Sequence, residues 1–181
     1  MPPRVALLVY DGVEELEAFL VIDYLRRTGI SVETIKCFCR EFIVNGLHNI
    51  AFRADKCFEG DLSANTLYDA CIVVGGRQDR LKECQDSLDF IKNHANNNKI
   101  LGVCCTALRT TAELGIFENR KIVDHPSVPE TLNKTSGPVI RDGNIITSLG
   151  LSSTSEFALT LIELMQGPEC RQNLMNELSY L

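Results

Sequence analysis

Short apolar runs and segments with helical spacing alternate along the whole chain. Arg4–Tyr10 predicts a short apolar strand. Glu14–Thr28 places Leu16, Phe19, Leu20 and Leu25 at helical spacing, and Gly29 follows as a stop. Ser31–Ile35 is the next predicted strand. Residues 40–58 are mixed, with Asn45-Gly46 as a hairpin turn between two strand-like runs. Tyr68–Val74 (YDACIVV) reads as a buried strand ending at Gly75-Gly76. Asp86–Asn96 predicts a helix that packs through Leu88, Phe90 and Ile91. Ile100–Val103 predicts a strand, and Thr106–Leu114 a helix closed by Gly115. Lys121–Val123 reads as a strand ending at Asp124-His125-Pro126. Val139–Arg141 and Ile145–Ser148 flank a turn at Asp142-Gly143. Ser153–Met165 predicts a helix opened by a capping box, Ser153-x-x-Glu156. After Gly167, Pro168–Leu178 suits a last helix, because proline fits a first helical turn.

Strand–helix alternation of this kind predicts an α/β fold: a mostly parallel sheet with helices on both faces, a three-layer α/β/α sandwich. No linker, repeat or low-complexity segment divides residues 1–181, so one domain is expected. In such sheets ligands bind outside the carboxyl ends of the strands. Three groups fall there: the acidic helix start after Tyr10, Gly75-Gly76, and Cys104-Cys105.

Composition narrows the function classes. The net charge is −6, with basic residues scattered, which argues against nucleic acid or an anionic membrane as main partner. The first apolar run ends at Asp11, too short for a signal core or a membrane span. Eight cysteines without a signal point to a reducing, cytoplasmic setting and free thiols. They stand at positions 37, 39, 57, 71, 84, 104, 105 and 170. There is no C-x-x-C pair, and Cys37-x-Cys39 has no matching partner pair at zinc-finger spacing. No structural metal is expected.

The strand-to-helix turn at Cys104-Cys105 places a thiol beside the positive end of a helix, where ionisation is favoured. Two buried apolar cysteines explain the same residues, and on these residues alone the readings stand level. The convergence of three strand ends favours the reactive thiol. Glu14 and Glu15 are accounted for as charge at a helix start. Glu17 lies a turn deeper. Turned into the crevice it would be desolvated, its pKa would rise, and it would hold or pass a proton. Strand alternation turns Cys104 to the opposite sheet face from Cys105, as a buried structural thiol. A Cys104–Cys105 disulfide would be strained. His48 reads as a loop histidine and His94 as a surface residue, while Arg27 and Arg53 face either solvent or a second copy.

Four pieces carry a resemblance: GVEELEA at 12–18, VVGG at 73–76, GVCCTAL running on to AELGIFENRKIVDHP at 112–126, and SEFALTLIE at 155–163. In that order and spacing the chain resembles the ThiJ/PfpI superfamily and, within it, the DJ-1-like proteins. The final helix fits that branch too. The resemblance implies a class I glutamine amidotransferase-like, flavodoxin-like fold with a reactive cysteine at a strand-to-helix elbow. In that family the nucleophile lies ten residues before the glycine of A-E-x-G, which selects Cys105 from Gly115. His125 follows twenty residues later and matches the family His-Pro pair. Glu17 matches the glutamate that contacts the sulfur. Gly75 and Gly76 match the pair whose N–H groups face it, and with the Thr106 N–H they would form an oxyanion hole.

The family activity implied is a cofactor-independent glyoxalase or deglycase, part of an oxidative-stress response. Cys105 would attack a 2-oxoaldehyde such as methylglyoxal or a glycated adduct, Glu17 or His125 would move the proton, and lactate would leave. Neither metal nor glutathione is required. The alternative is a redox sensor or redox-controlled chaperone that acts through oxidation of Cys105. A cysteine peptidase is disfavoured, because Thr106 stands where those enzymes carry histidine. The resemblance also implies a homodimer.

Overall fold

The computed structural model describes residues 1–38, 41–58 and 62–178. Cys39 lies outside them. Apolar runs become the strands β1 (Arg4–Val9), β2 (Ser31–Lys36), β3 (Ile43–Asn45), β4 (Ala51–Arg53), β5 (Lys56–Cys57), β6 (Ala70–Val73), β7 (Ile100–Cys104), β8 (Ile122–Val123), β9 (Lys134–Thr135), β10 (Val139–Asp142) and β11 (Ile145–Ser148). The helices are α1 (Glu15–Arg27), α2 (Gln78–Lys82), α3 (Gln85–Asn96), α4 (Ala107–Glu113), α5 (Thr154–Gln166) and α6 (Pro168–Glu177).

Among the described residues the main sheet has seven strands in the order β10-β11-β7-β6-β1-β2-β5. All its neighbours run parallel except the β10–β11 hairpin. Without the two-residue edge strand β5, the parallel strands β2-β1-β6-β7-β11 follow the flavodoxin-like order. The strand order reverses between β1 and β6, so the crevice beyond their carboxyl ends is the expected ligand position. Helix α1 lies on β1 and β2 and against α5, which also packs on β11 and α6; α3 and α4 cover β6 and β7. Strands β1 and β6 are buried on nearly every position, as a sheet covered on both faces requires. Among the described residues no helix is long and apolar enough to cross a membrane.

Several expectations change. Lys121–Val123 does not extend the main sheet; its strand β8 pairs with β9 in a separate small ladder. The Ser153 capping box does not form. Ser153 Oγ donates to the Gly150 carbonyl and meets Ser148 Oγ, while Glu156 pairs with Arg171 at 2.8 Å. His94 is no surface residue. It is fully buried, accepts the Tyr68 N–H at Nε2 (3.0 Å) and places Nδ1 2.8 Å from the Phe90 carbonyl. Free thiols are not universal either: Cys57 is disulfide-bonded, while Cys37, Cys71, Cys84, Cys104, Cys105 and Cys170 are free.

Candidate active site

Two loops are clamped together beyond the sheet edge. The Glu14 N–H donates to the Gly75 carbonyl and the Arg77 N–H to the Gly12 carbonyl, both at 2.9 Å. Tyr10 adds a third tie, its hydroxyl 3.0 Å from the Val74 and Gly75 carbonyl oxygens. These bonds fix the start of α1 against the end of β6. They bring Glu17 to Gly75.

Cys105 arrives from the next strand. Its N–H donates to the Ser148 carbonyl (3.0 Å) as β7 ends, and its φ of 56° is a left-handed conformation. A non-glycine residue there stores strain of about 1–3 kcal/mol. The reversal takes Cys105 out of the strand's alternation. Cys104 therefore does not sit on the opposite face from the site: its Sγ lies 3.3 Å from Glu17 Oε2. Both thiols are turned to one carboxyl group.

Glu17 is completely buried. Its Oε2 accepts the Gly75 N–H at 2.7 Å, and its Oε1 has no hydrogen-bond partner among the described residues. Burial raises the carboxyl pKa most, the Glu14 charge adds to this, and the bonds from Gly75, Cys104 and Cys105 oppose it. Burial also leads in pushing the Cys105 thiol up to about 11, followed by the Glu17 charge; the Thr106 N–H pulls the other way. The helix end that favours ionisation is thus opposed by burial and by the neighbouring carboxylate. The helix-end contribution is present but weaker than burial beside a carboxylate.

Two glycines press on this pair. A Cβ on Gly75 would lie 2.9 Å from Cys105 Cβ and from Glu17 Oε2. A Cβ on Gly150 would lie 3.0 Å from Cys105 Sγ and from Glu17 Oε1, and its φ of 120° suits glycine. Sequence reasoning missed Gly150, although a glycine just past the end of β11 was the available signal.

The expected oxyanion donors are engaged. Gly75 N–H is held by Glu17, and Gly76 N–H donates to Thr106 Oγ1 at 3.0 Å. Thr106 Oγ1 in turn donates to the Gly76 carbonyl at 3.1 Å. Of the three groups, the Thr106 N–H points to the Cys105 sulfur. His125 does not join this contact set. Its Nδ1 lies 2.7 Å from Ser127 Oγ, and it does not line the cavity described below.

A cavity of about 390 Å³ opens over the pair, lined by Glu14, Glu17, Leu47, Gly76, Cys105, Thr106, Leu151 and Ser152. That size suits a small ligand. Glu14 and Glu15 are buried rather than solvated. Glu15 Oε1 accepts the His48 N–H (2.6 Å) and the Ile50 N–H (3.3 Å), pinning the β3–β4 loop that carries Leu47 to the mouth. The His48 ring is exposed and lies 3.2 Å from Glu15 Oε2. Glu14, Glu15 and His48 bring ligand atoms within 4.8 Å of one another, but the Glu15 oxygens already serve the loop.

The sequence profile described as the DJ-1/PfpI family matches residues 3–164. Protein DJ-1 homolog A of Arabidopsis thaliana is 29% identical over 91% of this chain, which spans only 43% of that relative's length. Glutathione-independent glyoxalase DJR-1.2 of Caenorhabditis elegans is 26% identical, covering 95% of this chain and 93% of its own. The solved structure of oxidized Toxoplasma gondii DJ-1 superposes with a TM-score of 0.90 at 28% identity, over 98% of each chain.

Proposed function

The chain belongs to the DJ-1/PfpI family, and from that membership we propose that it is a cofactor-independent glyoxalase acting on small 2-oxoaldehydes. The observation that carries the reading is a thiol and a buried carboxyl meeting at the floor of a small cavity. A relative named as a glutathione-independent glyoxalase supports it.

Methylglyoxal fits the cavity and has an electrophilic aldehyde. As the Cys105 sulfur bonds to the aldehyde carbon, Glu17 takes the thiol proton and hands it on to the carbonyl oxygen, giving a hemithioacetal and leaving Glu17 a carboxylate. The Thr106 N–H steadies the developing oxyanion, joined by the Gly76 N–H when the Thr106 hydroxyl turns away. Glu17 then removes the proton on the former aldehyde carbon and returns it to the neighbouring carbon through an enediol, while the hemithioacetal hydroxyl proton passes to the former ketone oxygen. The product is a thioester of lactate on Cys105. Water cleaves it to lactate and free thiol. The raised carboxyl pKa suits a group that both accepts and donates protons. Glycated adducts would be released by the same groups.

Lactate formation from methylglyoxal tests this. Wild type turns over, Cys105→Ala does not, and Glu17→Gln loses roughly 10²–10⁴-fold in kcat. Wild-type turnover no faster than the uncatalysed rate sinks the proposal. Oxidation sensing at Cys105 is the second reading, favoured by the unpartnered Glu17 Oε1 beside the sulfur, an acceptor for a protonated oxygen placed there. Selective sulfinate formation without turnover would select it.

A homodimer is part of the proposal. Leu16, Leu47, Ile50 and Leu151 are 61%, 42%, 51% and 51% exposed. Two of them, Leu47 and Leu151, also line the cavity, so a second copy seated there would cover its mouth. Light scattering at the mass of one chain would remove this part.

A further inference from the structure

Two cysteines outside the site face each other. Cys37 follows the carboxyl end of β2, and Cys84 closes the turn between α2 and α3. The Cys84 thiol donates to the Cys37 carbonyl oxygen at 2.8 Å across 47 residues of chain, which sets the two side chains close enough to act on each other's acidity. Both are free and nearly enclosed. Their surroundings make them unequal. Cys84 occupies the N-cap position of α3, a helix of 12 residues. The neighbouring Cys37 thiol first, and then Ser87, bring the Cys84 thiol down to about 7 against the opposing effect of burial. Cys37 is wholly buried, with Cys71 near it, and burial pushes its thiol well up. The Ser87 side chain is fully buried near both cysteines, and its hydroxyl has no hydrogen-bond partner among the described residues. An acidic thiol in contact with a protonated one is the arrangement of an attacking and a resolving cysteine.

We infer that Cys37 and Cys84 are a second redox site, a dithiol that closes reversibly to a disulfide when the protein meets a hydroperoxide. The Cys84 sulfur attacks one oxygen of the O–O bond. That bond breaks, Cys84 becomes a sulfenic acid, and the other oxygen leaves as an alcohol, or as water from hydrogen peroxide, with the thiol's proton. The Cys37 sulfur then attacks the Cys84 sulfur. An S–S bond forms, the S–O bond breaks, and hydroxide leaves as water with the Cys37 proton. Two thiols lose two electrons to the peroxide in all. The bond ties the end of β2 to the start of α3. Cys37 N–H donates to the Val9 carbonyl (3.0 Å), next to Tyr10, so the tie is anchored at the end of β1. The inference does not depend on the glyoxalase reading.

The test is peptide mapping of the reduced full chain after graded hydrogen peroxide and blocking with N-ethylmaleimide. The expected result is joint loss of alkylatable Cys37 and Cys84, with a linked peptide two hydrogens lighter than its parts that vanishes on re-reduction. In Cys37→Ser the link should be absent, and dimedone labelling of Cys84 should rise several-fold over wild type. The wild-type map stands alone if that variant folds poorly. Recovery of both residues as separate maleimide adducts, at a dose that oxidises Cys105, overturns the inference. So does Cys84 sulfinate with no link.

Discussion

Replacing Glu17 by glutamine should move thiol acidity and turnover in opposite directions. The Cys105 thiol stands at about 11 in the protein, and four influences raise it: burial first, then the Glu17 charge, the Glu17 hydrogen bond and the Glu14 charge. The whole displacement from an ordinary thiol is about 2 pK units, or ~3 kcal/mol. Glu17 supplies two of the four raising influences, and burial survives the substitution. Glu17→Gln should therefore lower the midpoint by roughly 1 unit, equivalent to ~1.4 kcal/mol. The assay is the pH dependence of iodoacetamide alkylation at Cys105, read by mass spectrometry. The same variant should lose turnover, because glutamine cannot take the thiol proton. A midpoint that rises in Glu17→Gln would refute the reasoning, since it would mean that protonated Glu17 stabilises a standing thiolate.

Other outcomes follow from the same contacts. Gly150→Ala would place a methyl 3.0 Å from Cys105 Sγ and Glu17 Oε1 at a φ of 120°; activity should fall at least 10-fold while circular dichroism stays native. His94→Ala strands the buried Tyr68 N–H and should cost roughly 2–4 kcal/mol in urea unfolding. Burial lowers the His94 pKa in the folded chain, so the unfolded chain binds the extra proton first. Its contribution is present above the ordinary histidine range, near pH 6.5, and fades as pH falls below it; His94→Gln should flatten that part of the stability profile. Arg171→Ala removes ion pairs to half-exposed Glu156 and Glu163 and should cost no more than about 1 kcal/mol.

Periodicity and stop residues were enough to read the sheet and its main helices, because α1, α3 and α5 each have an apolar face and glycine or asparagine at their ends. Helix α2 escaped, since five residues are too few to show a period. Cys105 and Glu17 were legible through spacing that a family resemblance interpreted. The side of Cys104 was not legible: alternation holds only while the chain stays extended, and φ of 56° at Cys105 ends it. Glu14 and Glu15 read as charge at a helix start, and His94 as a surface residue near an asparagine-rich helix end. Each is buried by a partner distant in sequence, the β3–β4 loop for Glu15 and Tyr68 for His94. Local composition carries no trace of such partners. The influences on the thiol divide the same way: the helix end is local, whereas the opposing carboxylate is 88 residues away.

The pH profile of kcat/KM for methylglyoxal, set beside the alkylation profile of Cys105, tests the central claim most directly. Activity should rise as Glu17 loses its proton, at a pH above the ordinary carboxylate range because burial raises that group. It should then hold through neutrality, while alkylation climbs only toward about 11. Activity that instead tracks thiol ionisation, with no limb belonging to a carboxyl group, would contradict Glu17 as the base that activates Cys105.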